Sequence, residues 1–235
     1  MDHTVTGSYA ERVGLYRKAL LLAYITIFYN VLEGAVSVLF GLEDETLALF
    51  GFGVDSFVEV ISGIGIWHMI QRLSRHQDEP QDRFEQTALH ITGSAFYLLA
   101  IGLMATASIN LFQGHRPVTT FWGVVISLIS IMTMWLLIHF KVKVGRKLQS
   151  DAILADANCT KTCLYLSFFL LVASAGYELT GIGGLDSLGA IAIAIFAFRE
   201  GREAFEKARG KSCACCTDCA PNKKIPKTLS EERPE

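Results

Sequence analysis

Apolar residues in this chain do not keep to one helical stripe. They run in long blocks, each broken by a short charged cluster. Six blocks, at about 18–42, 46–72, 84–112, 118–141, 153–178 and 184–207, read as helices. Several reach the roughly 20 residues needed to cross the hydrocarbon of a bilayer. They are apolar on nearly every face, whereas the surface helices of a soluble protein keep a polar side. The pattern therefore predicts an all-α fold, a six-helix transmembrane bundle over residues 18–207. Residues 1–17 form a cytoplasmic N-terminal segment and residues 208–235 a cytoplasmic tail. Small residues inside the blocks, such as Gly51, Gly53, Gly63 and Gly65, let membrane helices pack closely. The polar opening from Met1 to Arg12 lacks the apolar core and cleavage site of a signal peptide, so the first block is expected to stay as a span.

Composition supports this reading. Of the 235 residues 51% are hydrophobic and only 19% charged, against about 25% charged in a soluble domain. The basic residues are spread over the loops rather than gathered on one face, so no nucleic-acid partner is implied. Their distribution sets an orientation. Arg12, Arg17 and Lys18 precede the first block; Arg72, Arg75 and Arg83 fill the second connection; Lys141, Lys143, Arg146 and Lys147 fill the fourth. Arg199, Arg202, Lys207, Arg209 and Lys211 follow at the C-terminal side. The first, third and fifth connections hold only Arg116, and the first is acidic, with Glu43, Asp44 and Glu45. Basic residues favour the cytoplasmic side, so both termini are expected there. An even number of spans requires the same.

Ionisable groups inside a membrane are costly and call for a reason. Asp55 and Glu59 in the second block lie four residues apart, on one helical face. Such a pair repels unless a proton or a cation sits between its members. Cys159 and Cys163 in the fifth block have the same spacing. Two oxygens and two sulfurs are a suitable four-coordinate set for a divalent metal. The competing readings are protonated carboxyls that bond a neighbour, and cysteines that act as small hydrophobes. Glu33 and Asn158 are further candidates for lining a pathway, with Glu33 equally a protonated packing residue. His68, His90 and His139 lie nearer block ends and read as interfacial. Lys161 either snorkels to the surface or tunes the thiols. Asp186 reads as an N-terminal charge of the sixth helix.

The tail crowds Cys213, Cys215, Cys216 and Cys219 into seven residues. Thiolates at that density bind soft metals such as Zn, Cd, Cu(I) or Hg. Palmitoylation of juxtamembrane cysteines is the other reading.

Taken together, the second-block run Leu47-Ala48-Leu49-Phe50 to Val54-Asp55-Ser56-Phe57-Val58-Glu59 and the fifth-block run Ala155-Asp156-Ala157-Asn158-Cys159-Thr160-Lys161-Thr162-Cys163 resemble the membrane domain of the cation diffusion facilitators. The resemblance covers roughly residues 12–208. It implies a metal site of Asp55, Glu59, Cys159 and Cys163, with Glu59 in place of the family's Asp and the two cysteines in place of His and Asp. Such ligands favour thiophilic cargo over Mg or Mn. About 28 residues follow the sixth block, too few for the family's folded cytoplasmic domain, so the cysteine tail is expected to capture metal instead. His76, Asp78, Glu79 and Asp82 occupy the loop where some relatives hold an accessory metal, and read more simply as a solvated loop.

The expected function is efflux of a Zn- or Cd-like divalent or soft transition-metal cation by metal/proton antiport. No enzymatic step and no tightly bound cofactor are implied. The partners implied are the metal ion, protons, membrane lipid and a second copy of the chain as a homodimer, in the cell (inner) membrane. The rival functions are a membrane-anchored metal-binding or handover protein that uses the tail, and a redox protein. The redox reading ranks last, because cysteines one helical turn apart sit near the geometric limit for a disulfide.

Overall fold

A computed structural model describes residues 3–75 and 83–209. The described chain is six helices: α1 (His3–Glu43), α2 (Leu47–Arg75), α3 (Arg83–Gln113), α4 (Phe121–Leu148), α5 (Asp151–Thr180) and α6 (Gly184–Ala208). The second, third, fifth and sixth agree with the sequence pattern to within about three residues. α1 continues back through the segment read as a polar lead, because leaving the apolar zone does not end a helix that meets no proline. α4 starts later than expected, since residues 118–120 form the connection, and runs seven residues further. Lys141 is consequently no loop charge: it lies inside α4 at 1% exposure. Lys143, Arg146 and Lys147 remain exposed at that end, so the charge argument for orientation survives.

Helices α1 to α5 each contain a stretch long and apolar enough to span a membrane. α6 falls short on composition because Arg199, Glu200, Arg202, Glu203, Glu206 and Lys207 crowd its last turns. The chain is a multi-pass integral membrane protein, and its outer surface shows it. Leu98, Met132, Trp135, Phe168, Val172 and Phe198 are all exposed. In water such a surface would be an aggregation hazard; in lipid it is the solvent-facing side.

α2 lies at the centre of the bundle. Ala48, Leu49, Phe52 and Val58 pack with Phe96, Leu99 and Leu103 of α3, Leu166 and Leu170 of α5, and Ala190, Ile193 and Ala197 of α6. The most extensive contacts join α1 to α2, α3 to α6 and α4 to α5. Small residues bring the backbones together. A Cβ on Gly189 of α6 would meet Ala173 of α5 at 2.5 Å and Ala48 of α2 at 3.2 Å. Gly93 of α3 and Gly201 of α6 face each other, a Cβ on either standing 3.1 Å from the other's carbonyl oxygen. Gly201→Val should therefore wedge α3 from α6 and cost about 1–3 kcal/mol, seen as a lower unfolding temperature of the detergent-solubilised protein. An unchanged melt would mean the two helices do not touch there.

The two ends of the bundle differ. At the end holding the first, third and fifth connections, side chains tie helix termini together. Asp186 accepts bonds from the backbone N–H of Leu47 at 2.9 Å and of Ala48 at 3.2 Å. It belongs to the first turn of α6, as expected, but the N-terminus it caps is that of α2. Glu178 accepts from the N–H of Thr120 and the hydroxyl of Thr119. Thr46 donates to the Thr119 carbonyl, and Tyr177 to that of Pro117. The opposite end, where Ala19, Ile70, Val144 and Ile153 pack, contains a cavity.

Candidate metal site

The cavity is about 60 Å³ in volume and is walled by Asn30 of α1, Glu59 of α2, Thr92 of α3, Asp156, Cys159 and Cys163 of α5, and Glu200 and Lys207 of α6. These residues converge because α2 and α5 cross near the bundle centre with Glu59 and Cys163 at the contact. The Cys163 thiol donates to Glu59 Oε1 at 2.6 Å. The Asn30 amide donates to Glu59 Oε2 at 3.0 Å. Glu59 is thus held from both sides, by α1 and by α5. Cys163 is buried and also approaches the Cys159 carbonyl at 3.5 Å.

Asp55 lies one turn along α2, 2% exposed, and its Oδ1 has no hydrogen-bond partner. The Oδ1 of Asn30 is buried and unpartnered as well. Buried acceptors are normally satisfied, and two orphaned oxygens beside a carboxylate suit a cation. The fourth predicted ligand, Cys159, is turned toward α6, where Lys207 Nζ lies 3.6 Å from its sulfur. Among the described residues, no three His, Cys, Asp or Glu side chains stand close enough together to form a ready-made cage. The structure therefore joins Glu59 to Cys163, lines the same cavity with Cys159, and leaves Asp55 one turn beyond.

The other sequence candidates divide. Glu33 is buried, accepting from Tyr29 at 2.9 Å and from Ser56 at 3.2 Å, and it links α1 to the α2 turn that carries Asp55. Asn158 accepts instead from Lys161 at 2.9 Å, on an exposed face of α5, and does not line the cavity. That contact also removes Lys161 from the thiols. The lysine beside Cys159 is Lys207. His68, His90 and His139 stay out of the cavity walls; His90 meets the Phe205 ring at a tilt, and His139 stacks near Trp135. Cys213, Cys215, Cys216 and Cys219, and the loop residues His76, Asp78, Glu79 and Asp82, lie outside the described residues.

Asn30 and Lys207 were not singled out by sequence reasoning. Asn30 had a usable signal, an amide in the middle of an apolar span. Lys207 had none, because at a span end it resembles an ordinary cytoplasmic charge.

Residues 19–209 match the model of the cation efflux transmembrane domain. The chain is also 28% identical over 152 residues to the manganese efflux system protein MneP of Bacillus subtilis (strain 168), an alignment covering 63% of this chain and 50% of that protein. The matched part thus spans half the length of that relative.

Proposed function

The chain belongs to the cation efflux family, and from that premise we propose that it exports a soft divalent transition-metal cation, Zn- or Cd-like, in exchange for protons. The observation that carries the proposal is the contact of Glu59 with Cys163 across α2 and α5, in the wall of the cavity. Carboxylate and thiol at one point are a mixed oxygen–sulfur donor pair, and thiolates select thiophilic metals.

By the loop charges, the cavity faces the cytoplasm. Metal arrives there and displaces protons from the ligands, which bind metal only when deprotonated. Rotation of the Asp55 and Cys159 side chains toward Glu59 and Cys163 completes the coordination. The helices then rock so that the site opens at the other end. Protons from outside compete for the same atoms, release the metal, and their return supplies the driving force. No covalent step occurs. Cys213, Cys215, Cys216 and Cys219 serve as a capturing arm at the cytoplasmic surface.

Manganese is the second reading, favoured by the name of the one relative above. A metal panel with the purified chain in proteoliposomes separates the two. Zn and Cd uptake should exceed Mn uptake, Asp55→Ala should abolish it, and truncation after Lys211 should weaken it chiefly at low metal. Uptake of Mn without Zn or Cd would overturn the soft-cation reading. Uptake surviving Asp55→Ala would overturn the site. Metal binding lost on truncation, with no flux in the parent, would favour a handover protein.

A further inference from the structure

Among the described residues, the cavity holds one lysine, Lys207, in the last turn of α6, which the transport reading leaves without a role. Its Nζ lies 3.2 Å from Glu203 Oε1 on its own helix and 3.6 Å from Cys159 Sγ on α5. Both Lys207 and Glu203 are largely shielded, with side chains 18% and 17% exposed. Of the other acidic residues around the cavity, Asp156 is already matched by Lys141 at 2.9 Å. Glu59 and Glu200 remain, and both line the same space. Lys207 is therefore the ammonium that stands among these carboxylates and next to the outermost thiol.

We propose that Lys207 is the resident cation of the cavity mouth: it occupies the place beside Cys159 that an incoming metal ion takes, and so sets the metal concentration at which the site loads. The inference rests on the assignment of Cys159 as a transport ligand. An ammonium and a divalent metal ion brought to one sulfur in a shielded space repel each other strongly. One must leave when the other arrives. Lys207 is built to leave. Its stem is flexible and its helix ends one residue later, so the head can swing to water. Lys141 is the contrast, fully buried and held by both Asp156 and Thr160 at 2.9 Å. A monovalent ion gains nothing over an ammonium already paired with Glu203. A divalent ion with affinity for sulfur does. The lysine thus also filters cargo by charge.

The test is initial uptake of Cd(II) into proteoliposomes against concentration, for the full chain and for Lys207→Met, Lys207→Gln, Lys207→Arg and Cys159→Ser. Lys207→Met or Lys207→Gln should lower the half-saturating Cd(II) concentration about tenfold, within the range usual for coupled sites, with little change in maximal rate. Lys207→Arg, which keeps the charge, should stay near the parent. In the Cys159→Ser background Lys207→Met should bring no further drop. A purely structural lysine would change maximal rate or yield rather than this concentration. If both neutral variants load at the parent's concentration or a higher one while Cys159→Ser is impaired, the role of Lys207 is overturned and the site stands. If Cys159→Ser transports like the parent, the ligand assignment itself falls, and the proposal with it.

Discussion

Glu59→Ala is expected to reduce metal flux to about a hundredth of the parent or less. Loss of residues that merely orient a ligand already costs 10–100-fold, and Glu59 is proposed as a ligand itself. It is also the point where three helices meet: its two oxygens take the Asn30 amide from α1 and the Cys163 thiol from α5. Removing the carboxylate leaves both donors facing an empty space and separates the α2 and α5 halves of the site. Glu59→Asp provides the control, because it keeps the charge, shortens the reach and restores the acidic residue usual in the family. It should retain measurable flux. Glu59→Gln should not, because an amide keeps the hydrogen-bonding shape while losing the negative charge that a metal requires. The measurement is initial uptake in proteoliposomes at matched protein density, with far-ultraviolet circular dichroism to show an intact helical bundle. Undiminished flux in Glu59→Gln would remove Glu59 from the pathway.

How much of this was legible beforehand differs between the fold and the site. Helix existence was plain, because a lipid-facing helix must be apolar outside and in, so blocks such as 84–112 stand out without any knowledge of their neighbours. Helix ends were less plain. α4 runs on to Leu148 because Lys141, which marks a loop by charge alone, has found Asp156 inside the bundle. A sequence lists charges but does not say which are paired. The site followed the same logic. The i, i+4 spacing puts Asp55 one turn from Glu59 on α2, and Cys159 one turn from Cys163 on α5. Which member of each pair meets the other helix depends on how α2 and α5 cross, and the spacing carries no information about that. The structure brings Glu59 and Cys163 together and leaves Cys159 facing Lys207. Asn30 stayed hidden for the opposite reason: its importance comes from one long-range bond to α2 and from nothing local.

Lys141→Met is the second large expected effect, and it falls on stability. Lys141 is 1% exposed and bonds Asp156 and Thr160, each at 2.9 Å, tying α4 to the first turns of α5. Taking away one partner of a buried ion pair leaves an uncompensated charge, a cost of about 3–5 kcal/mol. Lys141→Met should thus lower the unfolding temperature and the yield in detergent, and Asp156→Leu, which strands the ammonium, should do so at least as much. The double variant should recover most of the loss, since replacing a whole buried pair with apolar groups is often neutral or stabilising. The shortfall from additivity is the coupling energy of the pair. Flux should not recover in step. Asp156 lines the cavity three residues before Cys159 on α5, so the double variant loses an acidic wall of the proposed entry path even as the helix pair is secured. A double variant as unstable as the two singles summed would show that the lysine and the aspartate do not meet. One that regained both stability and full transport would confine the pair to holding α4 on α5.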